Sequence, residues 1–230
     1  EIVRKMAQEL RLNPAAHLTC VAATREEVDA VARGYLAAGV RHIVALRGDA
    51  PGGGEYQPHP GGYRYASELV SGLKRIHDFE ISVAAFPEKH PESQSFEADL
   101  DYLKQKIDAG AGRAITQYFF DCGHFFRFLE RARKSGITIP IVPGIMPIAN
   151  FQQAKKFSAM CGASVPQWLE ETFAGLDDKP EARFNVAVEV AAKQCRELLA
   201  GGCEHVLARF VGLPIVLLTE AWTALDSVLP

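Results

Sequence analysis

The side chains able to do chemistry stand where short apolar runs stop. His17, Arg47, Asp49, Phe86, His90 and Gln117 sit at such ends, and Pro143-Gly144-Ile145-Met146-Pro147 makes a turn at another. The set has no serine or cysteine nucleophile beside a base and no cluster of histidine and acidic ligands. Hydrolysis and metal catalysis are therefore poor fits, and no metal is expected. One carboxylate, one guanidinium, an amide and aromatic faces suit a bulky planar cofactor that carries the chemistry while the protein orients it and sets the local charge. Plainer readings stand beside this one. Asp49 could cap a turn with Arg47 paired to it, His17 and His90 could be ordinary hydrogen-bonded histidines, and Gln117, inside an apolar strand, must find partners for its amide from a ligand or from nearby backbone. Gly52-Gly53-Gly54 lacks the spacing of a dinucleotide or phosphate fingerprint and reads as a flexible loop.

The elements that must position these residues alternate. Apolar runs at 17–22, 42–46, 81–86, 113–120, 139–145 and 206–211 read as strands, and periodic segments at 24–39, 65–77, 96–109, 124–134, 151–160, 165–173 and 180–199 read as helices, with a first helix over 1–10 and a last near 220–228. Thr24-Arg25-Glu26-Glu27 is a capping box and Gly39 a C-terminal stop. Prolines 140 and 143 predict bends at both ends of their strand. Strand followed by helix, six times, implies right-handed crossovers and a parallel sheet. Functional-looking residues at nearly every strand end favour a barrel over an open sheet, which would gather them at one switch point. The expected fold is α/β, a (β/α)8 TIM barrel lacking its first two strands, as one domain over residues 1–230.

Composition is that of an ordinary globular protein. Of 230 residues 48% are hydrophobic and 23% charged, and the net charge of -3 supplies no cationic field for nucleic acid. No window is apolar enough to span a membrane, and the 5 cysteines are too scattered for a zinc site or a disulfide framework, so a soluble cytoplasmic protein with reduced thiols is expected. The amphipathic start, with neither an initiator Met nor a cap, reads as a chain cut into at its N-terminus. An open edge at the strand beginning His17 would favour self-association, and a homo-oligomer is expected.

Five stretches, His17-Leu18-Thr19-Cys20, Arg41 through Asp49, Val83 through Glu92, Ala111 through Asp121, and Pro143 through Phe157, resemble bacterial methylenetetrahydrofolate reductase, in order, from residue 1 to about 204. The resemblance implies a barrel that holds FAD, takes a hydride from NADH or NADPH, and reduces 5,10-methylenetetrahydrofolate to 5-methyltetrahydrofolate, serving one-carbon metabolism and methionine supply. It places His17, Arg47, Gly48, Asp49, Tyr65, Ala66, Phe86, His90, Asp99 and Lys106 at cofactor positions, with Lys106 and His90 toward the pyrophosphate. It makes Asp49, Gln117 and Phe157 the catalytic set. Asp49 tunes flavin and folate electrostatically, while Gln117, Gln153 and Phe157 contact substrate.

The departures are also implied by the resemblance. The family's general-acid glutamate and second-strand flavin contacts have no counterpart in these residues. Phe86 replaces a common tyrosine, Tyr102 stands where a polar amide is usual, and the run around Arg209 does not reproduce the family's final substrate segment. Weak or absent turnover is expected. Alternatives are a non-catalytic flavin- or folate-binding module, a degenerate fragment packing on a partner, or an unrelated aldolase-type barrel, for which Lys89 and Lys106 are poorly placed.

Overall fold

In the computed structural model, residues 2–52 and 54–208 are described. The strands are β1 (Ala15–Thr19), β2 (His42–Leu46), β3 (Glu80–Ala85), β4 (Arg113–Thr116), β5 (Ile141–Val142), β6 (Gly144–Ile145) and β7 (Leu207–Ala208). The helices are α1 (Ile2–Gln8), α2 (Arg25–Ala37), α3 (Ala66–Ile76), α4 (Phe96–Asp108), α5 (Cys122–Lys134), α6 (Phe151–Cys161), α7 (Gln167–Phe173) and α8 (Pro180–Ala200). One sheet runs in the order β1-β2-β3-β4-β5, and β6 pairs with β7 in a second. The β1–β2, β2–β3 and β6–β7 pairings are parallel, as crossover helices require. The expected final helix near 220–228, and Arg209, lie outside the described residues.

The chain forms two compact units, with boundaries after β3, within α4 and within β4. The first comprises Glu1–Ala85 and Leu100–Ala114. Its centre is β2, whose Ile43, Val44 and Ala45 are all buried, as a strand covered on both faces must be. β1 instead alternates, with Ala16 and Leu18 buried and His17 exposed between them. The amphipathic α3 contributes Leu69, Val70 and Leu73 to this core. The second unit, Phe86–Asp99 and Ile115–Pro230, is built around Tyr118, Phe120, Met146, Ile148, Phe151, Leu169 and Phe173.

Local chemistry sets the element ends. The capping box at α2 forms as its sequence predicts: the Thr24 N–H donates to Glu27 Oε2 at 2.8 Å, and the Glu27 N–H donates to Thr24 Oγ1 at 3.2 Å. The helix stops at Ala37, and Gly39, at φ +87°, takes the left-handed position just beyond its cap.

Three strands differ from expectation. β1 lies at 15–19, not 17–22, because Ala22 has a φ of 55° and turns the chain away. β4 stops at Thr116, so Gln117 lies just past the strand, not inside it. There the Gln117 side-chain oxygen accepts the Tyr118 N–H at 3.1 Å, and the Phe119 carbonyl accepts from Gln194 Nε2 at 2.6 Å, so side chains replace the ladder. The expected strand over 139–145 is broken at Pro143, which has no N–H to donate, and its two pieces join different sheets.

Candidate functional site

In the first unit, β2 delivers Arg47-Gly48-Asp49 at its C-terminal end. Gly48 has a φ of +87°, and a Cβ built on it would lie 2.5 Å from Val21 Cγ1 and 3.1 Å from Thr19 Cβ. Backbone conformation and close approach thus both require glycine at this turn. The Arg47 carbonyl accepts from the Cys20 N–H at 3.2 Å and from Cys20 Sγ at 3.5 Å, tying the turn to the end of β1. Cys20 is fully buried, and burial pushes its thiol pKa up, so it serves here as a neutral donor.

Arg47 Nε donates to the Gly48 carbonyl at 3.2 Å, and the guanidinium lies 4.2 Å from the centre of the Tyr56 ring. Tyr56 was not foreseen from the sequence. Its hydroxyl donates to the Arg64 carbonyl at 2.9 Å and its ring lies 6.4 Å from that of Tyr65, so it organises the glycine-rich loop around the arginine. The only available signal was an aromatic residue within a glycine-rich stretch. Asp49 is exposed, and His17 is exposed on β1.

Tyr65 is the N-cap of α3 and makes no side-chain capping hydrogen bond, and Ala66 opens the helix. Lys106 donates from Nζ to the Ala84 carbonyl, placing an ammonium at the end of β3.

In the second unit, Phe86, His90 and Asp99 come together. The Phe86 and His90 rings meet edge to face at 4.6 Å, and the His90 N–H donates to Asp99 Oδ2 at 2.7 Å. The carboxylate of Asp99 therefore fixes the loop that carries His90. Glu88, which the sequence reading left out, latches the same loop: its Oε2 accepts the Ser164 N–H at 3.1 Å and lies 3.6 Å from His124 Nε2. Its Oε1 is buried and has no hydrogen-bond partner among the described residues.

Two of the substrate candidates, Gln153 and Phe157, meet in this unit. Asn150 caps α6 by accepting the Gln153 N–H at 2.9 Å, which places Gln153 and Phe157 one turn apart on a common helix face. Both line a pocket with Met146, Pro147, Ile148 and Asn150. The Phe157 ring stacks on Tyr118 with centroids 6.1 Å apart and planes at 19°. The Pro143-Gly144 turn is locked to β4, since the Gly144 N–H donates to Thr116 Oγ1 at 2.9 Å and a Cβ there would lie 2.4 Å from the Thr116 carbonyl oxygen. Among the described residues, no three His, Cys, Asp or Glu gather as a metal site, and no helix is long and apolar enough to cross a membrane.

Parallel strands alternating with helices, with polar and aromatic side chains just past individual strand ends, define an α/β protein of the (β/α)8-barrel class. A solved structure of the same fold is an uncharacterized protein from Clostridium thermocellum that binds two copies of 5-methyl-5,6,7,8-tetrahydrofolic acid; it superposes with a TM-score of 0.64 at 14% identity, covering 98% of this chain and 77% of that one. The family model for methylenetetrahydrofolate reductase matches residues 1–210, and the chain belongs to that family. It is 47% identical over 201 residues to 5,10-methylenetetrahydrofolate reductase of Escherichia coli (strain K12), covering 87% of this chain and 66% of that protein. The enzyme of the same name from Buchnera aphidicola subsp. Schizaphis graminum is 44% identical over 204 residues, with 89% and 68% covered. The chain thus spans about two thirds of the length of the curated relatives it matches.

Proposed function

We propose that the chain is a flavin-dependent folate reductase which uses NADH or NADPH to convert 5,10-methylenetetrahydrofolate to 5-methyltetrahydrofolate. The observation that carries this reading is the 47% identity to a named 5,10-methylenetetrahydrofolate reductase over 201 residues. The donor set of the first unit fits FAD. Uncapped amides at the start of α3, the Arg47 guanidinium and the Lys106 ammonium are groups that hold a pyrophosphate, and the Gly48 turn keeps the backbone free of a side chain beside them. His17, Tyr65 and Ala66 complete that set. When bound, FAD supplies the hydride chemistry.

In this reading Asp49 sets the charge facing flavin and pterin, disfavouring extra negative charge on the one and stabilising a cationic form of the other. Phe86, His90 and Asp99 contribute a braced loop with an aromatic face and an imidazole. Gln117 hydrogen-bonds the pterin, Gln153 positions substrate, and Phe157 offers its ring to the nicotinamide and the folate in turn, an arrangement that fits a ping-pong order.

The test is purification, an absorbance scan, and NADH–menadione and NADH–folate turnover. Flavin absorbance with nucleotide oxidation is expected, with weak folate reduction by these 230 residues. A protein that takes up no FAD on titration would refute the reading.

A further inference from the structure

Gln117 and Phe157 are 40 positions apart in the chain, yet one residue touches both. The Tyr118 N–H donates to Gln117 Oε1 at 3.1 Å, and the Tyr118 ring lies 6.1 Å behind Phe157 at an interplanar angle of 19°. The tyrosine is itself immobilised. It is 1% exposed, its ring packs 5.7 Å from that of Phe120, and its hydroxyl meets Ser158 Oγ at 3.0 Å, where serine is also 1% exposed. Ser158 follows Phe157 on α6, so the hydroxyl pair ties the helix segment that carries Phe157 to the strand end that carries Gln117. A buried hydroxyl pair of this kind fixes geometry because it holds two buried polar groups at hydrogen-bond distance away from water. Packing alone would have been served by phenylalanine and alanine at these two positions.

We propose that Tyr118 is a positioning residue that sets the Gln117 amide and the Phe157 ring as a single unit, with Ser158 as its anchor. The proposal rests on the reading that Gln117 and Phe157 face folate. Its consequence is that the aromatic platform is preorganised before any ligand arrives, so ligand binding does not have to order it.

The test uses the full chain, Phe157 observed by ring carbon-13 NMR with its signal assigned through Phe157→Leu, and 5-methyltetrahydrofolate as the binding probe. Tyr118→Phe keeps the ring and removes the hydroxyl; Ser158→Ala removes the anchor. Both are expected to broaden or shift the Phe157 ring signal in the ligand-free protein and to weaken folate binding about three- to tenfold, the range of one buried hydrogen bond. In the Phe157→Leu background, Tyr118→Phe is expected to weaken binding by much less, because its effect passes through the missing ring. An unchanged Phe157 signal in both single variants overturns the proposal, as does full additivity in the double variant. Wild-type folate affinity in Phe157→Leu refutes the substrate reading instead, and the ring signal then still decides whether Tyr118 positions Phe157.

Discussion

Replacing Gly48 by alanine tests the turn that follows β2 in the first unit. Two costs add. Alanine at a φ of +87° is strained by about 1 kcal/mol or somewhat more. The new methyl carbon would also stand 2.5 Å from Val21 Cγ1 and 3.0 Å from Val21 Cβ, so the valine or the turn must move, an overpacking cost of about 1–3 kcal/mol. The sum is about 2–4 kcal/mol, which for a chain of this size lowers the thermal midpoint by roughly 4–16 °C. Thermal and urea unfolding of Gly48→Ala measure it directly. The double variant Gly48→Ala/Val21→Ala separates the two costs: removing the valine methyls relieves the clash and leaves the φ strain, so the double variant should recover part of the loss. A Gly48→Ala protein as stable as wild type, or a double variant no better than the sum of its single variants, would refute the reasoning.

Two further predictions concern pH and capping in the first unit. His42 Nε2 lies 2.7 Å from the fully buried Ser82 Oγ, and burial, with Arg113 nearby, holds its pKa below the ordinary histidine range. A depressed pKa means that stability is fully present above the unfolded value, about 6.5, and is lost as pH falls toward the folded one. Urea midpoints should therefore fall in wild type as pH drops below about 6.5, and flatten there in His42→Gln. Thr24→Ala should cost about 1 kcal/mol by removing one arm of the α2 capping box, read by urea unfolding. The Thr24 backbone N–H also lowers the pKa of Glu27, so the cap is present above the ordinary glutamate range and weakens as pH falls through it; alanine keeps that N–H, so Glu27 should still titrate below the ordinary glutamate range in Thr24→Ala, and a Glu27 carboxyl that titrates in the ordinary range in wild type, followed by NMR, would refute the reciprocal bond.

Interactions within four residues were legible in the sequence. Thr24 and Glu27 form the box that their spacing specifies, and the expected helices form with ends shifted by a few residues, apart from the last, which lies outside the described residues. The place of the Arg47-Gly48-Asp49 turn at the end of β2 was also legible, since an apolar run that stops at a cation, a glycine and a carboxylate marks a strand end. What the sequence concealed were contacts with no local signature. Tyr56 beneath Arg47, Glu88 against Ser164 and His124, and the Tyr118–Ser158 hydroxyl pair each join residues separated by 9, 76 and 36, and 40 positions in turn.

The division has a physical basis. Periodicity, caps and turn residues act through neighbouring atoms, so the order of elements, the parallel sheet and the strand-end location of the candidate residues follow from the sequence alone. The fate of the run at 139–145 could not, because Pro143 says only that a strand is interrupted; which sheet each half joins depends on the partners that tertiary packing brings to it. The same holds for Gln117. Its type announced a need for hydrogen bonds, but only the folded chain decided that the Tyr118 N–H would meet part of it and that the Tyr118 ring would stand behind Phe157.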